Sequence, residues 1–210
     1  GQACTAGSRV YIHEKIYDKV LEGAVKKLNK LKMGNALDEN SDIGAIISEE
    51  QLKRTLYYMD IAKKNPSTKI LHGGNQSKGG EYKDGFYYEP TLLSGLPVSS
   101  PVCQEEVFGP VACAIPFKSF DEVMKSANDT QFGLSAVLWT KDLSRALQFV
   151  DEIEAGFVQV NQCVAPRANV SYGGIKMSGL GKEYAFDSMM NHFTQSKTVL
   201  INRGKSNIDV

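Results

Sequence analysis

Between residues 111 and 161 the sequence changes its apolar period four times, and this alternation limits the possible folds more than any other feature. Residues Val111–Phe117 form a continuous apolar run, the pattern of a strand buried on both faces. Ser119-Phe120-Asp121-Glu122 then sets a hydroxyl side chain three residues ahead of a glutamate, a capping box that predicts a helix through about Asn128. Residues 134–139 are a second apolar run. From Asp142 to Ala155 a helix is predicted, with Leu143, Ala146, Leu147, Val150 and Ile153 on one face and Gly156 as a left-handed stop. Phe157-Val158-Gln159-Val160-Asn161 is the third strand. Strand, helix, strand, helix, strand with short links is the pattern of right-handed crossovers. The predicted class is therefore α/β: a mainly parallel open sheet with helices on both faces.

The chain before this stretch fits the same class. Arg9-Val10-Tyr11-Ile12 reads as a strand, and Ile16, Val20, Leu21, Ala24, Val25, Leu28 and Leu31 recur at helical spacing up to Gly34. Lys19, Lys26, Lys27 and Lys30 fall on the opposite, solvated face. Ser48-Glu49-Glu50-Gln51 is a second capping box, opening a helix with Leu52, Leu56 and Met59 inward and Pro66 beyond its end. Lys69-Ile70-Leu71-His72 reads as a strand running into a glycine-rich surface loop, in which Gly79-Gly80 carries no phosphate-binding fingerprint. After Asn161 a long loop to residue 180 precedes a helix predicted over about residues 182–192. Ligands of open α/β sheets gather beyond the carboxyl ends of strands, so the loop is expected there. Residues 195–203 alternate like a separate edge strand.

Charge and cysteine content exclude several function classes. Lys+Arg and Asp+Glu number 24 each, so no overall field draws nucleic acid or an anionic membrane. Cys4, Cys103, Cys113 and Cys163 lack metal-ligand spacing to one another or to the three histidines, so no metal is expected. So few cysteines in 210 residues fit a reduced, cytoplasmic setting, and no apolar run has membrane-spanning length. The absence of an initiator Met, and a start inside a motif, suggest a piece of a longer protein.

Three stretches carry candidate chemistry. In Gly1-Gln2-Ala3-Cys4-Thr5-Ala6-Gly7-Ser8-Arg9 small residues leave room around a thiol, although a small buried hydrophobe is the commoner role for one cysteine. In Gln104-Glu105-Glu106-Val107-Phe108-Gly109-Pro110 carboxylates suited to vicinal hydroxyls stand beside a ring suited to a flat heterocycle, although paired glutamates more often face solvent. Residues 172–183, YGGIKMSGLGKE, hold four glycines in nine residues and suggest close backbone packing around a site.

Taken in order, GQACTAGSR, EEVFGP, the strand ending in Asn161 and YGGIKMSGLGKE resemble the carboxyl-terminal half of the aldehyde dehydrogenase superfamily over nearly the whole chain. The resemblance implies that Cys4 is the nucleophile, that Glu106 binds the nicotinamide-ribose hydroxyls, that Phe108 borders the nicotinamide, and that Glu183 stands near the water path. It places Cys163, Arg167 and Tyr172 by the aldehyde pocket, Arg167 reading equally well as a surface charge. It implies NAD or NADP as cofactor, a small aldehyde as substrate, and a homo-oligomer (dimer or tetramer) of the full-length protein. Residues 1–193 would be the catalytic domain and 194–210 an oligomerisation strand and tail. The family's dinucleotide-binding domain, oxyanion-hole asparagine and main general-base glutamate are not in these residues, so the isolated chain is expected to be inactive. Ser171 and Gln159 depart from the family's usual residues. Acylating members that use coenzyme A, glutamyl-phosphate reductases and a non-enzymatic assembly module are the alternatives.

Overall fold

Successive residues of a strand face opposite sides of its sheet, and this period of two divides the interior into two cores. The structure, a computed structural model, describes residues 1–201. Its main sheet contains β1 (Arg9–His13), β2 (Lys69–His72), β3 (Thr91–Ser94) and β4 (Val111–Phe117) in the order β1-β4-β3-β2. Strands β1 and β3 flank β4 in parallel, and β2 closes one edge antiparallel to β3. Helices α1 (Tyr17–Leu28), α2 (Glu49–Lys64) and α3 (Pro101–Gln104) cover it. Leu93, Cys113 and Ile115 face α2 and α3, meeting Leu52, Met59, Ala62 and Val102. Their neighbours Leu92 and Ala114 face the other way, onto Leu21, Ala24, Val25 and Leu28 of α1. Helices on both faces of an open sheet are what the sequence pattern requires.

The second half of the chain contains α4 (Phe120–Asn128), β5 (Phe132–Gly133), β6 (Ser135–Leu138), α5 (Leu143–Glu152), β7 (Phe157–Val160), β8 (Ile175–Lys176) and α6 (Phe186–Phe193). These strands lie outside the main sheet. Strands β6 and β7 pair in parallel with each other, and β5 pairs antiparallel with β8, both apart from the main sheet. Strand β4 already has β1 on one edge and β3 on the other, so it offers β6 no free edge.

Three helix starts read from the sequence hold in detail. Ser48 and Ser119 each accept a hydrogen bond at 3.2 Å, from the backbone N–H of Gln51 and Glu122, and Asp142 accepts from Arg145 at 3.1 Å. Helix ends differ more. Helix α1 stops at Leu28, short of Gly34. Helix α5 stops because Ile153 turns extended, so Gly156 is not a left-handed cap. Helix α6 starts at Phe186, since Glu183 is bridged to Tyr172 and Tyr184 has a positive φ of 68°. The expected strand over 195–203 is not formed in its described part, residues 195–201, which have no neighbouring strand; residues 202 and 203 lie outside the described residues. No helix among the described residues is long and apolar enough to cross a membrane.

Leu93 is fully buried where β3 meets α2 and α3. Leu93→Ala is expected to cost about 2–5 kcal/mol, seen as a lower urea midpoint at unchanged slope.

Candidate active site

Four anchors fix the segment that carries Cys4. The Ser8 carbonyl accepts from the Cys113 N–H at 2.8 Å, extending the β1–β4 ladder toward the amino end. The Gln2 side-chain oxygen accepts from the Ile47 N–H at 2.9 Å. The Ala6 N–H donates to the Ala3 carbonyl at 2.9 Å, closing a turn around Cys4. Gly1 lies directly on the backbone of Gly109, where a Cβ would come within 2.0 Å of the Gly109 oxygen. The thiol is therefore exposed, on a turn tied at both ends.

The Gly109 contact seats this turn against the loop that holds the two glutamates. Glu105 is a structural group: its carboxylate accepts from the Tyr58 hydroxyl at 2.7 Å. Glu106 differs, because among the described residues its hydrogen bonds are to its backbone; the Arg54 guanidinium donates to its carbonyl at 2.6 and 3.1 Å while its carboxylate is exposed. The Gln51 amide donates to the carbonyls of Val107 and Phe108 at 2.9 and 2.8 Å. Phe108 has φ +52°, and Gly109 sits where a Cβ would press on Thr55 at 2.5 Å. Helix α2 thus grips three successive carbonyls and leaves the Glu106 carboxylate and the half-buried Phe108 ring for a ligand. Two acceptor oxygens beside an aromatic face fit a ribose diol joined to a flat base. Sequence reading missed Gln51 and Arg54 in this role, for their only local signal is the cap that Gln51 completes.

The glycine-rich loop reaches Cys4 from the second set of strands. It does not lie beyond the carboxyl ends, as expected, but folds back to the amino ends of β6 and β7. Gly133 N–H donates to Ser178 Oγ at 3.0 Å, and Gly156 lies so near the Gly173 carbonyl that a Cβ would be 1.9 Å from its oxygen. Gly156 therefore serves close backbone approach. Lys182 Nζ donates to the carbonyls of Gly173 and Gly174 at 2.7 and 3.3 Å. Tyr172 and Glu183 exchange backbone hydrogen bonds of 2.9 and 2.7 Å, and the Tyr172 hydroxyl lies 3.2 Å from Cys4 Sγ. Burial, and then the contact with Cys4, push the Tyr172 phenol up to about 12.

These residues enclose a groove of about 370 Å³ whose lining includes Cys4, Leu134, Tyr172, Glu183 and His192. His192 was not foreseen: its Nδ1 lies 2.8 Å from the Ser188 carbonyl one helical turn back, and its Nε2 faces Gly181. Cys163 and Arg167 are exposed and do not line this groove. A larger concavity, about 1000 Å³ between residues 28–41 and 72–90, contains none of the expected site residues.

Comparison with known proteins covers nearly the whole chain. The model of the "Aldehyde dehydrogenase family" matches residues 1–199. The chain belongs to the aldehyde dehydrogenase family. Among curated relatives, an aldehyde dehydrogenase of Rhodospirillum rubrum is 39% identical over 201 residues, which is 96% of this chain and 39% of that protein. Aldehyde dehydrogenase B of Escherichia coli is 38% identical, with the same coverage of both chains. The crystal structure of a Staphylococcus aureus betaine aldehyde dehydrogenase in complex with NAD+ superposes with a TM-score of 0.91 at 32% identity, covering 99% of this chain and 41% of that one. The chain thus spans about two fifths of the length of the aldehyde dehydrogenases it matches.

The glycine contacts separate by surroundings. Gly156→Ala drives a Cβ into backbone and is expected to cost about 1–3 kcal/mol, whereas Gly7→Ala, with nothing within 4 Å, stays within about 0.5 kcal/mol; urea midpoints distinguish the two.

Proposed function

We propose that these residues form the thiol-bearing catalytic part of an NAD(P)-dependent aldehyde dehydrogenase that oxidises a small aldehyde to a carboxylic acid. One observation carries the reading: Cys4 lies against Tyr172 on a groove that Glu183 also lines, and its turn is seated through Gly1 on Gly109, the residue after the Glu106–Phe108 stretch. Family membership and the NAD+ complex of a structural neighbour support it.

The chemistry follows from what each group can do. The Cys4 thiolate attacks the aldehyde carbon; an S–C bond forms, and the carbonyl π pair moves to oxygen as an oxyanion within reach of the Cys4 backbone N–H. Glu106 would hold the nicotinamide-ribose hydroxyls and Phe108 would border the ring. A bound oxidised nicotinamide supplies the hydride acceptor that turns the thiohemiacetal into a thioester. Water then adds to the thioester carbon, giving up a proton to a glutamate general base, and the sulfur leaves with its bonding pair as thiolate to release the acid; Glu183, which lines the groove, would stand near that water. Cys163 and Arg167, on the exposed loop after β7, belong to the outer part of the aldehyde path in this reading.

The remaining features fit the same enzyme. Residues 1–193 act as the catalytic unit, and the segment from 194 pairs with a neighbouring subunit's edge in a homo-oligomer. Val199, Leu200 and Ile201 are 62, 93 and 78% exposed, apolar surface suited to such pairing. Four free cysteines suit a reducing, cytoplasmic compartment.

In the full-length enzyme, Cys4→Ser is expected to lower aldehyde-dependent NADH formation by about a thousandfold or more. Glu106→Gln should raise the cofactor KM about tenfold, the scale of a hydrogen bond to a charged group, with a smaller change in kcat. The 210-residue chain alone should give no NADH. Retained turnover in the Cys4 variant would refute the reading.

A further inference from the structure

We propose that the Tyr172 hydroxyl is a catalytic group of this site: it donates a hydrogen bond to the Cys4 sulfur, favours the thiolate and sets its direction, and releases the sulfur as it bonds to carbon. The proposal rests on Cys4 being the nucleophile.

Geometry supports it first. Oη and Sγ are 3.2 Å apart, and among the described residues Tyr172 is the only side-chain hydrogen-bond partner of that sulfur. The phenol is also held firmly. Its backbone is paired with Glu183 on both N–H and C=O, and Gly173 beside it is packed against the Gly181 carbonyl. Its ring makes edge contacts with Phe157 at 5.3 Å and Tyr184 at 5.7 Å. A donor fixed in this way strengthens its contact when the acceptor becomes charged, so the bond is worth more to a thiolate than to a thiol.

The surrounding charges leave this role to the phenol. Glu183 is an acceptor when ionised, and the Lys182 ammonium is bound to the Gly173 and Gly174 carbonyls. His192 lines the groove but its Nδ1 is taken up by Ser188 and its Nε2 faces Gly181. With its titration pushed up to about 12, Tyr172 remains a neutral donor through the range in which a thiol ionises. The chemical step needs no proton from it. The sulfur lone pair becomes the S–C bond, the carbonyl π pair goes to oxygen, and the sulfur, now uncharged, becomes a weaker acceptor and frees the hydroxyl.

The test uses the full-length enzyme and iodoacetamide, with modification of Cys4 followed by peptide mass so that the readout is independent of aldehyde turnover. Tyr172→Phe keeps the ring and removes only the hydroxyl. At pH 7.5 its alkylation should slow about fivefold, and the rates should converge near pH 10.5, where the thiol is ionised in both proteins. Equal rates at pH 7.5, or a deficit of the same size at both pH values, would overturn the proposal, the latter showing a change of access. Tyr184→Phe, which keeps the neighbouring ring but does not touch sulfur, should match wild type. If Tyr172→Phe does not fold, the tyrosinate titration of Cys4→Ala against wild type decides: one phenol should ionise at lower pH once the sulfur is gone, and an unchanged curve refutes the contact. Turnover by a Cys4→Ser enzyme would refute the proposed function, while the alkylation comparison would still judge the phenol–sulfur pair.

Discussion

Parallel pairing of β1 with β4 is the contact on which the site depends. Its register sets Arg9 opposite Cys113, so the residues before each strand emerge at the same end of the sheet. Cys4 lies five residues before Arg9 and Gly109 four before Cys113, and the two turns meet there. Antiparallel pairing would have carried one turn to the far end, about 17 Å away for five extended residues. The same pairing, with β3 on the other edge, closes β4 to further partners, and β6 and β7 pair with each other.

Once the turns share an end, glycine decides how near they come. Gly1 on Gly109 and Gly156 on Gly173 are backbone-to-backbone contacts that leave no volume for a side chain. Between them, α2 holds residues 106–108 through their carbonyls, with Arg54 on Glu106 and Gln51 on Val107 and Phe108. Adjacent glutamates thus acquire different duties. The Glu105 carboxylate is bound by Tyr58, and that of Glu106 is left exposed to solvent.

Much of this was legible in the sequence where the cause is local. Ser48, Ser119 and Asp142 cap helices because a side-chain oxygen three residues from an unpaired N–H acts within one turn. Val111–Phe117 reads as a buried strand because both faces are apolar. What stayed hidden has causes distant in sequence. No periodicity shows that β4 lacks a free edge, that residues 172–183 fold back to the amino ends of β6 and β7, or that Gly156 serves a carbonyl seventeen residues later rather than a helix end. The candidate site divides in the same way. Cys4, Glu106, Phe108 and Glu183 lie in recognisable motifs, whereas Gln51, Arg54 and His192 come to it through packing alone.

The contact between Cys4 and Tyr172 joins residues 168 apart, one leading into the main sheet and the other on the loop packed against β6 and β7. Its 3.2 Å therefore measures the spacing of two separately hydrogen-bonded layers. Protein interiors resist compression, but layers that share no ladder can slide by fractions of an ångström, and a hydrogen bond weakens steeply over that distance. Cys4 thus carries a built-in gauge of alignment: an altered apolar seam far from the sulfur would register at the thiol before it registered in the fold.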